Sequence, residues 1–162
     1  MKLVPVSLAA LSDIEYTVAL APHEQYSTPE FLVVTFSGRY RDGSMGAPDA
    51  TFIAAVMEAI QRAWYTDSLV VDLSGLAYYW GDEMDWIHDV GRFQPSPCHK
   101  PLAIIVGDEC REALKSLAPE EYEQNCVESF DDALRLIRSK KPEFDRCLDE
   151  WRRNPKGDRT NG

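Results

Sequence analysis

Between residues 31 and 139 the chain alternates two patterns. Short apolar runs too brief for helices are separated by longer stretches whose apolar residues recur at helical spacing. The runs are FLVVTFSG (Phe31 to Gly38), SLVVDLS (Ser68 to Ser74), PLAIIVG (Pro101 to Gly107) and the shorter QNCVES. Such runs suit strands covered on both faces. Phe52, Ile53, Val56 and Ile60 form one helical stripe, and Cys110, Ala113, Leu114 and Leu117 another. Strand alternating with helix requires crossover connections, hence a largely parallel or mixed sheet with helices packed on it. IEYTVAL (Ile14 to Leu20) precedes the series and is expected to pair antiparallel with FLVVTFSG across the turn-forming APHEQYSTPE. The expected class is α/β.

Boundary residues refine the elements. Asp49 and Asp108 stand where helix N-caps are expected, and Ser129 with Asp132 three residues later forms a capping box. A second helix is expected from near Gly81, with Trp80, Met84, Ile87 and Gly91 on its buried face and Asp82, Glu83, Asp85 and Asp89 elsewhere. After KKPE, Phe144, Leu148 and Trp151 predict a separate short amphipathic helix. The expected division is one domain over residues 1–141, that helix over 142–151, and a disordered tail over 152–162. RYRDGSMGAP reads as a loop, its GSMG a flexible connection without the Lys of a phosphate-binding loop.

Charge narrows the partners. A formal net charge of -10 on 162 residues repels nucleic acid and anionic membranes at long range and favours a partner with a basic surface. No apolar run approaches membrane-spanning length, and MKLVPVSLAALSDIEY is too weak for a secretory signal, so the expected compartment is the cytosol. Cys98, Cys110, Cys126 and Cys147 form no CxxC pair. They are read as reduced thiols, with disulfides the minor alternative.

Candidate chemistry gathers in VVDLSGLAYYWGDEMDWI, Val70 to Ile87, which runs from a strand through aromatic residues into acids. Asp85, His88 and Asp89 share a helical face, but three ligands on one helix leave a metal site incomplete, and a solvated acidic face is the default. Asp82 or Glu83 paired with Asp85 has no nucleophile or pocket to serve. Ser37 and Ser74 precede Gly outside any GxSxG elbow. No catalytic, metal or cofactor residue is therefore assigned. Tyr78, Tyr79 and Trp86 beside Asp82, Glu83, Asp85 and Asp89 resemble a protein-binding hot spot with a polar rim, while Trp80 is placed in the core.

The same residues resemble the STAS family, which includes anti-sigma-factor antagonists. VTFSGRY is similar to the family's early strand and Gly turn, DATFIAAVMEAIQRA to its first helix, and VVDLSGLAYYWGDEM to its signature junction. PLAIIVG is similar to its late strand and VESFDDALRLI to its closing turn and helix, so the resemblance covers residues 31–139. It implies a STAS-like mixed sheet and a non-enzymatic regulatory module that binds a protein. Switchable members carry a motif like DLSxVxFxDSSG. Asp72, Leu73, Ser74, Leu76 and Tyr78 match it; Trp80, Gly81, Asp82 and Glu83 then replace the family's Asp, first Ser, phosphoacceptor and Gly. No hydroxyl is left at that helix start, and Asp82 would place a permanent carboxylate there. Two alternatives stay open: a toxin-neutralising or other inhibitor protein, and a crotonase-like enzyme remnant.

Overall fold

The computed structural model describes Met1 and residues 3–22, 29–81, 83–92 and 96–153, and within these five strands build one mixed sheet. The strands are β1 (Glu15–Ala21), β2 (Phe31–Arg39), β3 (Leu69–Ala77), β4 (Leu102–Val106) and β5 (Cys126–Val127), lying side by side in that order. β1 pairs antiparallel with β2, and β2 to β5 are parallel. The α-helices are α1 (Ala47–Ala63), α2 (Arg111–Leu117), α3 (Pro119–Asn125) and α4 (Phe130–Arg153), with 3-10 turns at Gly43–Gly46 and Asp85–Arg92. Among the described residues no helix is long and apolar enough to cross a membrane.

Strand order explains where the helices lie. Each parallel step moves the same way across the sheet, and right-handed crossovers then put every connecting helix on one face. Leu32, Val34, Phe36, Val71, Leu73 and Ile104 accordingly pack with Phe52, Ile53, Val56 and Met57 of α1, Ile87 of the 3-10 helix and Leu114 of α2. That leaves Val70, Ala103 and Ile105 on the other face. Ala133 and Ile137 of α4 cover them.

The antiparallel opening pair forms as expected, and so does the capping box: the Asp132 N–H donates to Ser129 Oγ at 3.1 Å and the Ser129 hydroxyl donates to Asp132. Other expectations are corrected. The helix expected from Gly81 is a 3-10 helix starting at Asp85; Met84, Ile87 and Val90 all point inward because its three-residue turn aligns every third side chain. Neither Asp49 nor Asp108 is an N-cap; Gly46 and Cys110 hold those positions. GSMG is an ordered turn leading straight into α1. The separate helix expected over 142–151 is the second half of α4, which runs through Pro142. The proline removes a bond to the Arg138 carbonyl, and both residues are exposed, so water can satisfy that carbonyl. Arg152 and Arg153 close α4, and the remainder of the expected tail lies outside the described residues.

The largest correction concerns the cysteines. Cys98 and Cys147 form a disulfide across 49 residues, while Cys110 and Cys126 are free. Spacing could not reveal the pair, because α4 brings Cys147 back to the segment preceding β4 only once the sheet is built.

Candidate partner-binding site

The parallel strands β2, β3 and β4 all end at one edge of the sheet, the edge where open α/β folds place their binding loops. Backbone bonds clasp the three loops there. Tyr40 N–H donates to Ala77 O at 2.9 Å, Tyr78 N–H to Glu109 O at 3.0 Å and Gly43 N–H to Trp80 O at 3.3 Å. Below them Tyr40 and Tyr78 meet edge to face, their centroids 5.1 Å apart, and the Tyr78 hydroxyl donates to the Gly81 carbonyl.

Tyr78 is therefore a support and no contact residue, being only 1% exposed. The next two aromatics face outward. Tyr79 is 50% exposed and Trp80 is 61% exposed. This reverses the sequence expectation for Tyr78 and Trp80. Strand β3 runs on to Ala77, so pleat alternation carries Leu76 and Tyr78 inward, and no helix exists at Trp80 to turn it toward the core. The Trp80 ring instead lies against Gly43, whose φ of 58° and close approach both demand glycine: a Cβ there would come 2.5 Å from Trp80 Cη2.

Charged neighbours fix Tyr79. Its hydroxyl donates to Glu109 Oε1 at 2.9 Å, which raises its pKa, and the Arg39 guanidinium lies 5.9 Å from its ring centre. Arg39 and Glu109, which no motif announced, both come to Tyr79 from neighbouring strand ends. An ion pair between the buried Asp49 and the exposed Arg41 braces the same loops. Asp49 accepts from Arg41 N (2.8 Å), Nε (2.9 Å) and Nη2 (2.7 Å) and from the Ser12 hydroxyl, while Arg41 also donates to the Leu11 carbonyl.

The acids follow along the 3-10 helix. Glu83, Asp85 and Asp89 are exposed, Asp85 accepting from the Trp86 N–H at 2.9 Å and Asp89 lying 3.1 Å from Arg92. Trp86 is half-buried and packs on the main core. Asp82 lies outside the described residues. His88 turns inward, away from the exposed Asp85 and Asp89, and among the described residues no group of three His, Cys, Asp or Glu is placed to hold a metal.

Behind this helix lies a cavity of about 460 Å³, walled by His88, the 97–102 segment, α3 and α4. Lys140 Nζ donates to Leu102 O and to Asn125 Oδ1, both at 2.8 Å. That fixes the Asn125 amide so that its Nδ2 faces His88 Nδ1 at 3.5 Å. His88 thus accepts at Nδ1 and carries its proton on Nε2, which has no partner among the described residues. Burial lowers the His88 pKa and brings Lys140 down to about 8.

No family model matches the sequence, and neither does any curated protein. Among solved structures, the chain matches the crystal structure of an anti-sigma factor antagonist from Mycobacterium paratuberculosis, with a TM-score of 0.52. The match covers 76% of this chain and 95% of that one at 17% identity, a likeness of fold. The mixed sheet closed by a C-terminal helix is the α/β fold seen in that anti-sigma factor antagonist.

Proposed function

We propose that the chain is a non-enzymatic regulatory module of the cytosol that docks a protein through the exposed front built by Tyr79, Trp80, Glu83, Asp85 and Asp89. The open edge of the half-buried Trp86 extends the same surface. One observation carries this reading: two large aromatic rings, Tyr79 and Trp80, are held outward on a braced base, and the exposed acids Glu83, Asp85 and Asp89 follow directly in the chain. Exposed aromatics ringed by charge are what hot spots are made of, and acids steer a basic partner toward them. The fold's match to an anti-sigma factor antagonist supports an anti-sigma-factor-like protein as the partner class. Phosphorylation of the signature segment is not part of the proposal, since residues 75–92 contain no Ser or Thr.

The test is a binding titration of the purified chain against the anti-sigma factors of its own host. One of them should bind, and Trp80→Ala should weaken it by about tenfold or more, mainly through faster dissociation. Charge reversal at Asp85 and Asp89 should slow association and flatten its salt dependence. Binding that is indifferent to all three substitutions in folded protein sinks the proposed surface, and no binding to any of the factors sinks the partner class. Stoichiometric phosphate at Ser74 that alters binding would sink the claim of a phosphorylation-independent module.

A further inference from the structure

Helix α4 is one helix by its backbone and two by its attachments. Its first half sets Ala133 and Ile137 against Val70, Ala103 and Ile105 of the sheet. Its second half belongs to a separate cluster, in which Phe144 and Leu148 pack with Cys98, and Cys147 and Trp151 lie at the margin. Pro142 stands between the halves and removes a backbone bond at the joint. Immediately before it the helix is anchored twice. Lys140 Nζ reaches Leu102 O and Asn125 Oδ1, and Lys141 Nζ lies 3.2 Å from Asp67 Oδ2. Past the proline, the small apolar cluster and the Cys98–Cys147 bond take over the attachment.

We propose that Cys98–Cys147 is a reversible redox site, opened by a dithiol reductant, and that its reduction frees the segment Glu143–Arg153 to swing away at Pro142. Cys147 is half-buried whereas Cys98 is buried, so a reductant thiolate attacks the Cys147 sulfur. A mixed disulfide forms, and Cys98 leaves as a thiolate that takes a proton from water. The second thiol of the reductant then attacks the mixed disulfide, closes the reductant's own disulfide and releases Cys147 as a thiol. Two electrons pass to the protein and two S–H groups form on it. Cys110 and Cys126 do not compete. Burial pushes their pKa values up to about 11 and about 12, which keeps them as unreactive thiols at neutral pH.

The consequence reaches the cavity. Cys98, Phe144 and Cys147 form part of its wall, so departure of the segment widens the opening over the partly exposed Asn125 and Lys140 and the buried His88. A cytosolic location, if the proposed function holds, supplies the required dithiols; the redox site itself stands or falls without that reading, because its test needs no partner.

Hydrogen exchange of the full chain, read by mass spectrometry before and after dithiothreitol, tests the proposal. Reduction should accelerate exchange in residues 143–153 by about tenfold or more beyond any change in residues 130–137. Iodoacetamide should then label Cys98 and Cys147 ahead of Cys110 and Cys126, and reoxidation should restore protection. Cys147→Ser should exchange like the reduced protein with or without dithiothreitol. Equal acceleration of both halves, no acceleration of either, or failure of the bond to form in oxidised protein would each overturn it.

Discussion

Asp49 ties together the segments at Ser12 and Arg41 beside the strand ends. Burial by itself raises a carboxylate's pKa, but the Arg41 hydrogen bonds and the Ser12 hydroxyl outweigh it and hold Asp49 below its ordinary value. A depressed carboxylate contributes stability that is fully present above the ordinary range and is lost as pH falls through the lower folded value. The melting temperature should therefore drop more steeply below about pH 4 in the native chain than in Asp49→Asn. Asp49→Ala leaves the buried Ser12 hydroxyl without its acceptor and frees Arg41 to solvent, and should cost about 1–3 kcal/mol in urea unfolding. The tryptophans make a second comparison. Trp80→Ala should change stability by less than about 0.5 kcal/mol, since its ring is largely in water. Trp86→Ala, whose ring packs on the core, should cost about 2 kcal/mol by the same measurement.

The elements differ in how much of their form is local. The start of α4 was legible because the Ser129 hydroxyl accepts from the Asp132 N–H and donates to the Asp132 carboxylate, all within one turn. The helix of residues 85–92 was legible as a helix but not as 3-10, since Met84 and Ile87, three apart, fit either period and only the burial of Val90 continues the step of three. The distal half of α4 was legible as an amphipathic stripe, but its continuity through Pro142 was not. Deleting everything after Lys141 from the oxidised chain removes Phe144 and Leu148, each worth about 1.5–3 kcal/mol of burial. It also removes a loop closure worth about 2–4 kcal/mol. These contributions overlap, yet the melting temperature should fall clearly. With dithiothreitol present the gap between full-length and truncated protein should shrink, as it must if the segment is already released; an unchanged gap would mean that Phe144 and Leu148 hold the helix without the bond.

The molecule as a whole is a sheet whose two faces are covered by different means. Crossover helices cover one as a consequence of strand order, and among the described residues α4 supplies the cover over Val70, Ala103 and Ile105. Removing the chain from Phe130 onward should expose that apolar face and yield a protein that binds a hydrophobic dye and aggregates, which light scattering would register. A monodisperse truncated protein would contradict this. The net charge of -10 acts at the same level, as a field around the whole chain that repels other anions at long range. The sequence by itself determined the alternation of strand and helix, the antiparallel opening pair and the α/β class. Those follow from periodicities of two and of three to four residues that the backbone imposes over short stretches. Only the tertiary structure decided that Tyr78 is inside and Trp80 outside, that Asp49 is a buried anchor instead of a cap, and that Cys98 meets Cys147. Each of those outcomes depends on contacts between segments far apart in the chain, such as Gly43 with Trp80 or Arg39 and Glu109 with Tyr79, which exist only after the strands have aligned their ends.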